Sequence, residues 1–164
     1  MAANPKPLAS TRRLAKAQTR RHLKSHEELH KRLVRKRDGY HCRFPQCGCR
    51  TLGWPLEVSH FLHHKAMGGN PRGDRSVSDS MMLLCRHRHQ EGAVSLHKGT
   101  LKVQVLTERG ADGPVAWLVD LDAIPVHGHG SHWFEVARES TVQQLEPLDE
   151  WQEDILLRLA EMDR

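Results

Sequence analysis

The sequence predicts an α+β fold, and three stretches support that prediction. Residues 10–37 contain no proline or glycine and are rich in helix formers, which predicts an N-terminal helix. Two alternating, β-branched runs at 101–108 and 115–121 flank "RGADGP", a pattern typical of a β-hairpin. Residues 147–162 place apolar side chains at helical spacing, which predicts a second helix. Its apolar stripe is expected to contain Leu148, Trp151, Ile155, Leu159 and Met162.

The N-terminal helix is expected to be ordered over only part of its length. Leu29, Leu33 and Val34 have the spacing of a packed helical face, so an ordered helix is predicted near 26–37, ending at Asp38. The basic stretch before it has few apolar side chains and would need a partner to form a stable helix.

Shorter elements are predicted between the two helices. The runs "LEVS" (56–59) and "MMLLC" (81–85) predict short strands, and "RHRHQEG" (86–92) predicts one or two helical turns. A further strand is expected near 133–138. We therefore divide the chain into a basic arm (1–37), a core (38–105) and a hairpin-and-helix extension (106–164).

The composition predicts a thin core and a polyanionic partner. Hydrophobic residues make up 38% of the chain and aromatic residues 5%, and small scaffolds of this kind often need a structural metal. Residues 1–50 carry 14 Lys/Arg and three Asp/Glu, whereas residues 135–164 carry three and nine. The basic half favours DNA as a partner. The acidic C-terminal helix could dock the protein on a larger nucleic-acid-processing assembly.

The sequence favours a cytoplasmic protein that does not associate with membranes. No apolar run reaches the ~18 residues that a membrane span requires. The first residues, "MAANPKPLAS", lack the apolar segment of a secretory signal. In a reducing compartment, closely spaced cysteines favour a metal site over disulfides.

The four cysteines predict a structural zinc site. Cys42 and Cys47 form a knuckle, and Cys85 ends a predicted strand. Zinc sites of this type take two ligands from a knuckle and two from a strand–helix junction. The second pair would be Cys-x2-Cys, but the residue three positions after Cys85 is an arginine. Either Cys49 or His87 could replace the missing ligand, giving four sulfurs or three sulfurs and one imidazole.

Three histidines lie at the ends of the predicted elements in this cysteine frame. His60 follows the first strand, His89 lies in the predicted helical turn, and His97 follows the next loop. A strand, a loop, a second strand and a short helix can bring these imidazoles together. One neutral imidazole can accept a proton from water near neutral pH, and two more can hold a divalent cation.

Three motifs contain these cysteines and histidines: "RDGYHCRFPQC" (37–47), "EVSHFLHHKAMGGNPRGDRS" (57–76) and "SDSMMLLCRHRHQEGAVSLH" (78–97). Over about residues 37–105, this spaced pattern resembles the HNH endonuclease family, particularly its phage- and prophage-type members. The resemblance implies a small ββα-metal, treble-clef-like core on a zinc knuckle. It also implies cleavage of DNA phosphodiester bonds with Mg²⁺, Mn²⁺ or another transition metal.

The resemblance assigns roles to the three histidines. His60 would be the general base that activates water for attack on phosphorus. His89 would be a ligand of the catalytic cation, and His97 a second one. The cation would stabilise charge on the scissile phosphate and the leaving oxygen.

Two positions depart from the family pattern. Ser59 stands where the family usually has an Asp or His ligand, and Glu57 or His64 could supply the missing ligand. Ser80 stands at the family's middle Asn, which orients the base. Asp79, beside it, could take over that role as part of the catalytic set.

Basic side chains near these motifs are candidate phosphate-binding residues. Lys65, Arg72 and Arg75 belong to the glycine-containing loop, and Arg20 and Arg21 belong to the basic helix. A solvated, charged surface is the alternative interpretation for each group.

Two classes of function fit the sequence. The first is a metal-dependent DNA endonuclease, which the presence of His60 and His89 favours. The second is a zinc-knuckle protein that binds DNA or an assembly partner and has a degenerate nuclease site, which Ser59, Ser80 and Arg88 favour.

Overall fold

A computed structural model of the protein describes residues 9–61, 78–124 and 133–163, with side chains from residue 13 onwards. Helices and antiparallel sheets occur together, so the α+β class is confirmed. The helices are α1 (Ala9–Arg37), α2 (Cys49–Leu52) and α3 (Glu150–Met162). The strands are β1 (Leu56–His60), β2 (Met81–Cys85), β3 (Leu101–Val105), β4 (Val115–Asp120), β5 (Trp133–Thr141) and β6 (Gln144–Leu145). In the described part of the chain, no helix has the length and apolar character needed to cross a membrane.

The N-terminal helix is longer, and packs less, than the sequence predicts. It runs without interruption for 29 residues. Val34 is fully buried against Met81 and Leu83 of β2. Leu29 and Leu33, which the helical spacing places on the same face, are 54% and 46% exposed. Only the C-terminal part of α1 is therefore anchored to the core by apolar packing.

The two strands predicted around the glycine-containing loop form an antiparallel pair. Leu56 of β1 is opposite Cys85, and His60 is opposite Met81. All five residues of β2 are buried. A π-helical turn, His87–Glu91, follows β2 directly, with the Gly92 amide donating to the His87 carbonyl at 2.8 Å. This arrangement places His60 at the end of β1, Cys85 at the end of β2 and His89 in the helical turn that follows.

The second sheet has the strand order β3-β4-β5-β6. Its β3–β4 pair is the predicted hairpin, but the connection contains a 3-10 turn, Gly110–Asp112, in place of a tight Asp-Gly turn. β3 belongs to the stretch assigned from sequence to the core, and it pairs with β4 of the extension. The two parts are therefore joined by a continuous sheet.

The last helix packs against β5 with a face slightly different from the predicted stripe. Ile155, Leu156 and Leu159 are buried, whereas Trp151 and Met162 are 54% and 40% exposed. The helix begins with a reciprocal pair of hydrogen bonds between Asp149 and Gln152, which satisfies two backbone amides at the helix start. The predicted stripe is wrong at Trp151 and Met162 because Leu156 packs on the sheet instead.

Buried charged residues connect the knuckle region to the second sheet. The Arg43 guanidinium binds both carboxylate oxygens of Glu139, at 3.0 and 2.6 Å, and donates to the Gly113 carbonyl at 2.8 Å. The Asp38 carboxylate accepts the Leu83 amide of β2 at 2.7 Å. Because these groups are almost fully buried, the pairs fix the relative positions of the segments and leave no exposed charge there.

Candidate metal and catalytic site

The four cysteines form one cluster at the junction of the knuckle, α2 and the end of β2. Their sulfur atoms all lie within 4.8 Å of one another, and the Cys47 and Cys85 sulfurs are 3.7 Å apart. A tetrahedral zinc with bonds of about 2.3 Å to sulfur has sulfur–sulfur edges of about 3.8 Å. The cluster therefore has the dimensions of a four-cysteine metal site.

The environment of the sulfurs favours the thiolate form of Cys47, the form that binds metals. The Cys85 amide points to the Cys42 sulfur at 3.3 Å, and the Arg88 amide points to the Cys85 sulfur at 3.4 Å. Hydrogen bonds from Cys42 and Cys85 lower the pKa of the Cys47 thiol to about 2. Hydrogen bonding with Cys47 in turn raises the pKa of Cys42. Negative charge is thus favoured on the Cys47 sulfur, while backbone amides point to the Cys42 and Cys85 sulfurs.

The structure distinguishes the two candidates for the fourth zinc ligand. Cys49, the first residue of α2, belongs to the cluster. The His87 ring instead stacks on Trp54 at 4.1 Å between centroids, and its Nε2 lies 2.7 Å from an Asp163 carboxylate oxygen. The geometry therefore favours four sulfurs over three sulfurs and an imidazole.

Arg88, at the position where a second cysteine pair would end, has a structural role. Its guanidinium is buried, lies over the Phe44 ring at 4.6 Å, and binds the Asp163 carboxylate. Asp163 follows α3 directly and is 75 residues away in sequence. The arginine thus ties the end of the last helix to the region of the cysteine cluster.

The three predicted site histidines line one pocket of about 670 Å³. His60 enters it from the end of β1, and His89 enters it from the π-helical turn. The His89 and His97 rings meet edge to face with centroids 4.5 Å apart. Their backbones are also linked, because the His97 amide donates to the His89 carbonyl at 3.0 Å. The short connection between the two residues therefore holds both imidazoles at the same wall of the pocket.

Glu57 contacts His89, one of the histidines that line this pocket. One of its carboxylate oxygens lies 2.8 Å from His89 Nδ1, and the other accepts a 2.9 Å hydrogen bond from Arg86. The hydrogen bond to His89 lowers the pKa of the Glu57 carboxyl group. A carboxylate on Nδ1 fixes the orientation of the ring and leaves Nε2 as the nitrogen for a ligand, as in carboxylate–histidine–metal arrangements. Glu57 therefore orients His89, and the structure does not require it to be a metal ligand.

His89 and His97 are two candidate cation ligands in this pocket, and the described residues do not place a carboxylate or a cysteine beside both of them as a third. Among the described residues, the cysteine cluster is the only group in which three or more His, Cys, Asp or Glu ligand atoms lie within 4.8 Å of one another. Ser59 lines the pocket and is 1% exposed. Ser59 stands where the sequence resemblance leads one to expect an Asp or His ligand. A serine hydroxyl group is a weaker cation ligand than a carboxylate.

Asp79 is not brought to the pocket. It lies in a 3-10 turn, Ser78–Ser80, that packs against the Gly110–Asp112 turn, and its side chain is exposed. Ser80 is buried in the same turn. The expected orienting role of Asp79 therefore has no support in the geometry.

The candidate phosphate-binding residues fall into two groups. His64, Lys65, Arg72 and Arg75 lie outside the described residues. Arg20 and Arg21 are exposed and line a shallow groove on α1 together with Lys16 and Lys24.

Two basic residues nearer the end of α1 have acidic partners within the chain. Lys31 pairs with Glu27 at 2.8 Å and with Glu28 at 3.1 Å. Arg37 binds Asp38 and Asp112, both at 2.7 Å. Lys31 and Arg37 are therefore less available to a polyanion than the exposed Arg20 and Arg21.

Sequence reasoning missed one charged residue of the pocket. Lys102 of β3 lines the same pocket as the histidines. The alternating hairpin pattern identifies β3 as a strand without indicating what its edge faces. The structure shows that β3 lies beside β1, because residues of both strands line the same pocket.

Comparisons of the chain with protein-family models, with curated proteins and with solved structures found no match.

Proposed function

We propose that the protein is a metal-dependent DNA endonuclease of the HNH type. The observation that carries the proposal is the common pocket of His60, His89 and His97, near a four-cysteine cluster that joins the knuckle and α2 to the end of β2. A structural zinc in that cluster would hold the knuckle and α2 against the end of β2. The order of these elements, strand, strand and helical turn, agrees with the ββα-metal core implied by the sequence resemblance.

His60 is assigned the role of general base. It stands at the end of β1 and faces the pocket shared by the other two imidazoles. A neutral imidazole there accepts a proton from the attacking water, because the pKa of an ordinary histidine lies close to neutral pH. In such sites the reaction depends mostly on positioning and on electrostatic stabilisation.

His89 and His97 are the candidate ligands of a catalytic divalent cation. Glu57 orients the His89 ring, and the edge-to-face contact positions His97 beside it. When bound, the cation would stabilise negative charge on the phosphate and on the leaving oxygen. With two nitrogen donors and the Ser59 hydroxyl, this chain offers a set better suited to a transition metal than to Mg²⁺.

The second candidate function is a zinc-containing DNA-binding or assembly module with a degenerate site. The observation that favours it is Ser59, which supplies a hydroxyl where a cation ligand is expected. The exposed position of Asp79 favours it as well. The two candidates differ in one measurable property, which is cleavage.

Nicking of supercoiled plasmid separates the two functions. The chain is incubated with Mg²⁺, Mn²⁺, Co²⁺ or Ni²⁺, and relaxed and linear products are quantified. We expect cleavage by the wild type and a reduction of about 10²–10⁴-fold for His60→Ala. The matched control is His41→Ala, an exposed histidine outside the pocket. Wild-type protein that holds zinc and binds DNA but cleaves with none of these ions would favour the binding module.

A further inference from the structure

β3 contributes one basic residue to the lining of the histidine pocket. Lys102 lines this pocket with His60, His89 and His97, and it is the only Lys or Arg among the described residues that do so. It lies on a strand of the four-stranded sheet, opposite Leu118 of β4, which also lines the pocket. A charge carried by a paired strand is positioned more rigidly than one on a loop.

The Lys102 side chain is held by an aromatic ring and not by a carboxylate. Its Nζ lies 3.5 Å from the ring centroid of Trp133, the first residue of β5. A cation over an indole face is attracted to the ring while keeping its three donors. Within the described part of the chain, no carboxylate forms an ion pair with Lys102. Its charge therefore remains available to an anion.

We infer that Lys102 binds a phosphate group of the nucleic-acid backbone in the histidine pocket. The inference rests on the proposed function for its substrate class. A phosphodiester is an anion, and Lys102 is the only Lys or Arg among the described residues that line this pocket. Lysine is a common point-charge ligand of phosphate. On this rigid strand, the ammonium group would also face the charge that develops on the phosphate during attack by water.

Three substitutions separate charge from packing. Lys102→Met keeps an unbranched side chain over Trp133 and removes the charge. Lys102→Arg keeps the charge and the contact with the ring. The matched control is Lys98→Met, which removes an exposed lysine on the preceding turn whose Nζ donates to the Glu91 carbonyl at 2.8 Å.

Binding is measured first, without cleavage, in the full chain carrying His60→Ala. Fluorescence anisotropy with a short labelled DNA duplex gives the dissociation constant at several salt concentrations. Lys102→Met should weaken binding and reduce the log–log salt slope by about 0.9, the value for removal of one phosphate interaction. Lys102→Arg and Lys98→Met should keep the slope of the parent protein. In the cleaving protein, Lys102→Met should lower kcat by roughly 10²-fold, as for removal of one positioned donor.

Each outcome decides the inference. An unchanged salt slope for Lys102→Met would overturn it, as would an equal change for Lys98→Met. A fall in thermal stability with an unchanged slope would assign Lys102 a packing role on Trp133 and overturn it too. If the wild type binds DNA and does not cleave it, the endonuclease proposal fails while a reduced slope still supports the phosphate interaction. Absence of DNA binding by the parent protein would overturn both.

Discussion

Replacing Cys49 by serine should release zinc, whereas replacing His87 by alanine should not. Cys49 is one of four sulfurs within 4.8 Å of one another, and His87 is instead engaged by Trp54 and Asp163. Structural zinc sites contribute about 10–16 kcal/mol of apparent binding free energy. One ligand of four corresponds to about 3 kcal/mol, and Cys49→Ser should therefore bind zinc roughly 100-fold more weakly.

The weaker zinc affinity should also destabilise the fold around the cluster. The cysteines come from the knuckle, from α2 and from β2, so the metal would cross-link segments that lie up to 43 residues apart. The net stability of a domain is only about 5–15 kcal/mol. Losing about 3 kcal/mol of zinc-binding free energy should therefore lower the midpoint temperature of thermal unfolding by several degrees.

Zinc content and affinity are measured by elemental analysis and by competition with a chelating dye. Wild type and His87→Ala should each hold about one zinc per chain, and Cys49→Ser should release it to the dye. The absorption spectrum of the cobalt-substituted protein distinguishes four sulfurs from three sulfurs and a nitrogen. Retention of zinc by Cys49→Ser together with its release from His87→Ala would refute the four-sulfur assignment.

The remaining predictions concern stability, DNA binding and the cation. Glu139→Gln removes the closest carboxylate from the buried charge of Arg43 and should cost about 3–5 kcal/mol in urea unfolding, whereas Glu135→Gln, in a partly exposed pair, should cost no more than about 1 kcal/mol. Deletion of residues 1–25 should weaken binding to all duplex sequences alike and flatten the salt slope by about 0.9 for each phosphate interaction removed; equal affinity at every salt concentration would exclude the arm. Ser59→Asp should tighten binding of a divalent cation, because a carboxylate binds a hard cation better than a hydroxyl group does; a sharp fall in both metal affinity and rate would show that Ser59 has a different role.

The sequence predicts elements that are defined by local patterns. The strands at 56–60 and 81–85 and the 101–120 hairpin follow from residue type and alternation, and they occur where expected. The cysteine cluster is also predictable, because four cysteines in a short span favour a common metal. The choice of the fourth ligand is not, since it depends on where the four-residue helix α2 places Cys49 and on what engages His87.

Contacts between distant segments leave no comparable local signal. Arg43 and Glu139 are 96 residues apart, and Lys102 meets Trp133 across an intervening strand. Nothing in the neighbourhood of either pair in sequence distinguishes a buried or functional charge from a solvated one. The face of α3 that packs is undetermined for the same reason, because helical spacing alone allows Trp151 or Leu156 to face the sheet.

Arg88 shows how a departure from an expected pattern can be compensated within the fold. A zinc held by four thiolates is a doubly negative centre, and burying such a centre favours a nearby cation. The Arg88 guanidinium is buried, and its charge adds to the hydrogen bonds from Cys42 and Cys85 that lower the pKa of Cys47. The same guanidinium binds Asp163 at the end of α3. The fourth sulfur of the cluster comes from Cys49, so position 88 is free to hold an arginine, which would couple the charge of a bound metal to docking of the last helix.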